Sequence, residues 1–93
     1  MAQRGDNGKL SAAELGQAAL ATVEELTGYQ PEAVTSLTWD GDFWLVTVDA
    51  LELARIPNTT DVMGSYVVQL DEGGTLHGYR RTRRFVRGHA EEE

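Results

Sequence analysis

Thr35-Ser36-Leu37-Thr38-Trp39-Asp40-Gly41-Asp42-Phe43-Trp44-Leu45-Val46-Thr47-Val48 is the stretch that decides the fold. Leu37 and Trp39, then Trp44, Val46 and Val48, alternate with Thr38, Asp40, Leu45, Thr47 and Asp49, which is the period of half-buried strands. Asp40-Gly41 is a dipeptide that suits a tight two-residue hairpin turn. In that register Leu37 lies opposite Trp44 and Thr35 opposite Val46, and the two tryptophans seed a core.

Moving toward the C-terminus, strand character continues through Leu51 and Leu53 to Arg55-Ile56, yet these leucines fall on the opposite parity from Trp44, Val46 and Val48. A bulge, an edge bend or a second buried face would each account for the change. Pro57-Asn58-Thr59-Thr60-Asp61 reads as a loop, followed by a third strand over Val62–Leu70, a turn at Asp71-Glu72-Gly73-Gly74, and a fourth strand over 75–86 whose register the pattern leaves open. Toward the N-terminus, Tyr29-Gln30-Pro31 is a connection, because proline restricts the residue before it and cannot donate to a ladder. A helix is expected over 11–27. Ser11-Ala12-Ala13-Glu14 has the form of a capping box, Leu15, Ala19, Val23 and Leu26 recur at helical spacing, and Gly28 is a stop.

The expected fold is α+β, one N-terminal helix packed on a four-stranded antiparallel β-meander. Leu15, Ala19, Val23, Leu26, Leu37, Trp39, Trp44, Val46, Val48, Tyr66, Val68 and Leu70 are the expected core. Residues 1–10 read as a disordered leader, 11–88 as a single domain and 89–93 as an acidic disordered tail. One helix covers one sheet face, so the other face or the edges should be polar, arginine-rich or covered by a second copy in a homodimer.

The chain has 93 residues, 41% hydrophobic and 25% charged, with no cysteine. That composition fits one small domain and removes disulfide scaffolds, thiolate metal sites and thiol catalysis together. No apolar run reaches the roughly 20 residues that span a bilayer, and the first eight residues lack the apolar stretch of a signal peptide, so a cytoplasmic protein is expected. The net charge of −7 is unevenly placed. Residues 1–79 carry three bases against twelve acids, −9, whereas five arginines, Arg80, Arg81, Arg83, Arg84 and Arg87, crowd the last strand.

Little else carries chemistry. His77 and His89 make no metal-binding spacing, and Ser11, Ser36 and Ser65 lie in no nucleophile-elbow context. Asp40 and Asp42 flank a turn, where aspartate serves backbone hydrogen bonding, and Gly73-Gly74 has neither a following helix nor a phosphate-loop lysine. No catalytic, cofactor or metal residue is assigned.

Tyr79-Arg80-Arg81-Thr82-Arg83-Arg84-Phe85-Val86-Arg87 differs in kind. Strict alternation would put Arg81, Arg83 and Arg87 on one face and Arg80 and Arg84 on the other, making both faces basic. Two readings stand. The strip docks an acidic or phosphate-bearing partner through guanidinium forks, or it neutralises acids of the same domain, with Glu52 and Asp61 as neighbours able to lie alongside. A third reading is a nucleic-acid-binding regulator, with RNA held by these arginines and by stacking on Tyr79 and Phe85; the acidic remainder of the domain opposes it.

Laid out this way, the chain resembles the gas vesicle protein O family. The resemblance rests on Trp44-x-Val46-x-Val48, on Glu52-Leu53-x-Arg55-Ile56-Pro57-x-Thr59-x-Asp61, on Tyr66-x-Val68-x-Leu70-Asp71, and on Tyr79-Arg80-Arg81-x-Arg83-Arg84-Phe85-x-Arg87-Gly88. It covers roughly residues 11–88. It implies a non-enzymatic accessory role in forming gas vesicles, the protein-walled buoyancy organelles, through contacts with accessory protein F, the AAA+ ATPase protein N and the shell protein, with no cofactor and no membrane. Arg55, Pro57, Asp61, Arg80, Arg81, Arg83, Arg84 and Arg87 are the candidate docking residues.

Overall fold

Helix α1 spans Ala12–Thr27 and is closed at both ends by its own sequence. The Glu14 amide donates to Ser11 Oγ at 3.1 Å and the Ser11 amide to Glu14 Oε1 at 2.8 Å, a reciprocal cap that contributes about 1 kcal/mol. Gly28 adopts φ 76°, a left-handed conformation that ends the helix, and its amide returns to the Glu24 carbonyl at 2.9 Å.

A computed structural model describes residues 8–88. Four strands follow the helix, β1 Gln30–Trp39, β2 Trp44–Leu53, β3 Val62–Leu70 and β4 Leu76–Val86, in one antiparallel sheet of order β1-β2-β3-β4. This is the expected α+β meander. Helix α1 packs across β1, β2 and β3, and most of β4 stays exposed. Residues 8–10, read from composition as the end of a leader, are held by the fold. The Leu10 amide donates to the Glu72 carbonyl at 2.8 Å, and its side chain packs against the core. The remainder of the expected leader, and the expected acidic tail, lie outside the described residues.

The first hairpin differs from the two-residue turn. Asp40 Oδ1 accepts from the amides of Asp42 and Phe43, both at 2.8 Å, and the Asp40 amide bonds the Phe43 carbonyl, so the loop is Asp40-Gly41-Asp42-Phe43. Trp39 therefore pairs with Trp44 and Leu37 with Val46. The Asp40 carboxyl is held below its ordinary value by those amides, Phe43 first. Strand β1 also begins earlier than Val34, at Gln30, and tolerates Pro31 because it is an edge strand. It carries register shifts around Glu32 and Thr35.

Strand β2 ends at Leu53 rather than Ile56. Leu51 keeps the regular alternation and meets Met63, 3% exposed, on the face away from the helix, and a bulge that leaves Glu52 extra then returns Leu53 to the helix side opposite Val62. The core consists of Leu15, Ala19 and Val23 from the helix against Val46, Val48, Ala50, Tyr66, Val68 and Leu70 from the sheet. Each buried leucine or valine among them contributes roughly 1.5–3 kcal/mol by leaving water. Two expected core members stand outside it. Leu26 is 47% exposed, since the buried line 15, 19, 23 advances by four and reaches Thr27 next. Trp39 is 41% exposed because its ring leans on Trp44 from an edge strand, centroids 5.3 Å apart, with nothing beyond it in the sheet. Leu37 and Trp44 are partly buried against the core.

Candidate functional site

The arginine strand is divided by an irregularity that alternation does not foresee. Arg83 pairs with Ser65 and Arg81 with Tyr66, so Thr82 is an extra residue, and its hydroxyl donates to the Ser65 carbonyl at 3.2 Å. Beyond that point the facing reverses. Tyr79, Arg81 and Arg84 share the helix side of the sheet, being paired with Val68, Tyr66 and Gly64, while Arg80, Arg83 and Phe85 share the opposite face. The grouping of Arg81, Arg83 and Arg87 against Arg80 and Arg84 is thus corrected.

On the helix side a buried acid collects the two arginines. The Glu52 side chain is 4% exposed; Arg84 Nε lies 3.4 Å and Arg81 Nη1 3.6 Å from Oε1, and the Tyr66 hydroxyl donates to Oε2 at 2.6 Å. Burial, and next the bond to this carboxylate, push the Tyr66 phenol far above its ordinary value, which keeps it a donor. The absence of a side chain at Gly64 makes room for the carboxylate, since Glu52 Oε2 occupies the place a Cβ would take.

At the far end of the sheet Arg87 performs a similar task. Its Nη1 and Nη2 donate to Glu32 Oε1 and Oε2 at 3.0 and 2.8 Å, and its Nε donates to Asp61 Oδ2 at 3.0 Å. The Glu32 fork, and after it Asp61, raise the guanidinium pKa above its ordinary value. Asp61 is 5% exposed and also accepts the Arg55 amide through Oδ1 at 2.7 Å, while its own carbonyl takes the Arg87 amide at 2.8 Å. One arginine and one aspartate therefore tie the start of β1, the loop after β2 and the end of β4. Gly88 is required beside them: its φ is 84°, and an added Cβ would meet the Thr59 carbonyl at 2.9 Å.

What remains unpaired is a smaller set. Among the described residues Arg55, Arg80 and Arg83 make no ion pair, and Arg83 lies over the Phe85 ring at 4.3 Å. Pro57 leads a 3-10 turn at Asn58–Thr60, and Ile56, which pattern reading placed at the end of a strand, stands 100% exposed beside Arg55. The candidate docking residues thus separate into Asp61, Arg81, Arg84 and Arg87, engaged within the domain, and Arg55, Pro57, Arg80 and Arg83, presented outward. Ile56 is a surface residue that β-pattern reading hides, because an apolar residue at a strand end looks like core.

His77 bonds Asp71 Oδ2 at 3.1 Å and packs its ring on Phe43, centroids 4.7 Å apart. The Thr75 amide, then His77, hold the Asp71 carboxyl below its ordinary value. Among the described residues no group of three His, Cys, Asp or Glu side chains is placed to hold a metal ion, and no helix is long and apolar enough to cross a membrane.

The fold and this geometry define a small helix-on-sheet domain that neutralises part of a basic strand and displays the rest. Comparison with known proteins supplies the family: residues 1–91 match the gas vesicle synthesis protein GvpO family, and the chain belongs to it. It is 47% identical over 73 residues to gas vesicle protein O of Streptomyces sp. (strain CB03234), covering 78% of this chain and 57% of that protein. It is 34% identical over 71 residues to gas vesicle protein O of Haloferax mediterranei, covering 75% and 51%, and 30% identical over 70 residues to gas vesicle protein O1 of Halobacterium salinarum, covering 75% and 59%. The chain spans about half the length of these relatives, and no solved structure matches it.

Proposed function

We propose that the chain is a non-enzymatic accessory protein of gas vesicle assembly that works by contact with other gas vesicle proteins. Family membership supports the role in gas vesicle formation. The observation that carries the contact mechanism is the pair Arg80 and Arg83, held on the sheet face away from the helix with no acid partner among the described residues. Unpaired guanidiniums beside half-buried apolar residues bind a surface acid more strongly than a fully solvated one, because part of the desolvation is already complete. Accessory protein F, the AAA+ ATPase protein N and the shell protein are the proposed contacts.

The nucleic-acid reading has less support. Tyr79 and Phe85 lie on opposite faces, so they do not form one stacking platform, and three of the five β4-end arginines are already occupied by Glu52, Glu32 and Asp61. A homodimer built by strand addition is also less favoured, since both edge strands carry register shifts that interrupt a regular ladder.

The test is complementation of a gas vesicle cluster lacking its own copy of this protein, with tagged wild type or Arg80→Glu/Arg83→Glu. The double variant is expected to melt within several degrees of wild type, to lose at least one gas vesicle protein from the tagged complex, and to fail in vesicle formation. Full vesicle formation with every partner retained would contradict the reading.

A further inference from the structure

We infer that the sheet face opposite α1 is the seat of an acidic amphipathic helix from a partner protein; this rests on the contact role proposed above and names the surface and chemistry of that contact. Cross-strand rows define the face. Thr38, Leu45, Gln69 and Gly78 form one row, then Ser36, Thr47, Val67 and Arg80, then Ala33, Asp49, Ser65 and Arg83. Its centre is apolar and half-buried at Leu45 and Val67, Ser65 and Met63 further along β3 are buried, and no helix or strand of the described residues is laid across the Leu45 and Val67 end in the way α1 covers the other side.

The surface is shaped as well as exposed. A depression of about 380 Å³ opens between Leu45, Val67, Gln69 and Gly78, with Arg80 and Asp40 at its rim. Gly78 contributes no side chain to its row, and the Gln69 amide oxygen leans to within 3.3 Å of where a Cβ would stand. A sheet with one face covered by a helix completes a three-layer arrangement when a second helix covers the other.

Charge selects the occupant. The basic charge of the face is confined to its β4 flank, where Arg80 and Arg83 have no acid partner among the described residues. The β1 side carries the hydroxyls of Ser36 and Thr38, and the acids stand elsewhere, Asp49 at the centre, bonded by Ser65 Oγ at 2.6 Å and still charged, and Asp40 at the hairpin end. The fit is a helix with an apolar stripe and carboxylates along one flank. A second copy of this chain offers the wrong surface. Its helix is acidic, but the apolar stripe Leu15, Ala19 and Val23 is buried on its own sheet. An added strand is opposed by the register shifts at both edges.

The experiment places the photoreactive residue benzoylphenylalanine at Leu45 on the open face, at Gln17 on the outer side of α1, or at Ile56 on the loop. Each variant is expressed with the remaining gas vesicle cluster, and crosslinked segments are sequenced. The expected product is a Leu45 crosslink to one gas vesicle protein, at a segment with apolar residues at helical spacing and net negative charge. Arg80→Glu/Arg83→Glu should lower its yield about tenfold or more while the melting temperature falls by no more than several degrees. Crosslinks to gas vesicle proteins only through Gln17 or Ile56 would overturn the open-face seat and leave the contact role standing. So would a Leu45 crosslink to a second copy, to nucleic acid or to a non-acidic segment, or a yield insensitive to charge reversal. Absence of any gas vesicle protein from all three positions would overturn both.

Discussion

Gly64→Ala is expected to lower stability by about 2–4 kcal/mol, far more than a methyl group added to an edge-facing glycine would cost. The new Cβ takes the place of Glu52 Oε2, so the carboxylate must leave the cluster it forms with Tyr66, Arg81 and Arg84. The displaced group leaves the Tyr66 hydroxyl buried without its acceptor, a loss of roughly 1–3 kcal/mol by itself. For a domain of this size the midpoint of thermal unfolding should fall by about 10–30 °C. The mechanism is checked by a double-mutant cycle. Once Glu52→Ala has removed the carboxylate, adding Gly64→Ala should cost much less than it does in the wild type, and simple additivity would show that the two residues act separately.

Asp61→Ala carries the second large effect, about 3 kcal/mol, since it leaves the Arg55 amide and the Arg87 guanidinium without a buried acceptor. Asp61→Asn should rescue only in part. An amide side chain keeps one oxygen for the Arg55 amide and turns an N–H₂ toward Arg87 Nε, donor against donor. Amide hydrogen exchange gives the local reading: protection at Arg55 and Arg87 should fall in either variant, while Leu15, Ala19 and Val23 in the helix remain protected. Equal loss throughout the chain would mean that Asp61 supports the whole fold rather than the junction of three segments.

These two sites mark where legibility in the sequence ends. The helix is readable to within one residue because Ser11, Glu14 and Gly28 act on their own backbone neighbours. Strand β3 is bounded as alternation and its flanking turns indicate, and of the three causes offered for the parity of Leu51 and Leu53 two are present: Leu51 faces the second side of the sheet beside buried Met63, and a bulge follows at Glu52. The hairpin register is missed by two residues because Asp40 spends its carboxylate on the Asp42 and Phe43 amides instead of entering a two-residue turn. The facing of the arginines is missed for a nonlocal reason. Thr82 is extra only relative to Ser65 and Tyr66, seventeen and sixteen positions earlier, and a period-two pattern has no way to register an insertion against a partner strand. Glu52 and Asp61 are visible in the sequence as acids able to meet arginines; their burial, which gives them their energetic weight, depends on Gly64 and on the loop at residues 55–61.

The same geometry explains how a chain of net charge −7 keeps five arginines within eight residues. Arg81 and Arg84 lie exposed at their tips, so each ion pair alone contributes little. The buried carboxylate between them reverses that estimate when both are removed, because Glu52 would then be a charge out of water with only one hydroxyl donor. Internal neutralisation and outward presentation are therefore assigned to different arginines of one strand.

Thermal unfolding of three variants, Arg81→Gln/Arg84→Gln, Arg87→Gln and Arg80→Gln/Arg83→Gln, tests that division most directly. The first two are expected to lose about 2–4 kcal/mol each, through an unpaired Glu52 and through severed contacts to Glu32 and Asp61. The third is expected to stay within about 1 kcal/mol of wild type, since these exposed side chains make no ion pair and only the Arg83 contact with the Phe85 ring is lost. Comparable losses in all three, or a loss confined to the Arg80 and Arg83 pair, would contradict the account.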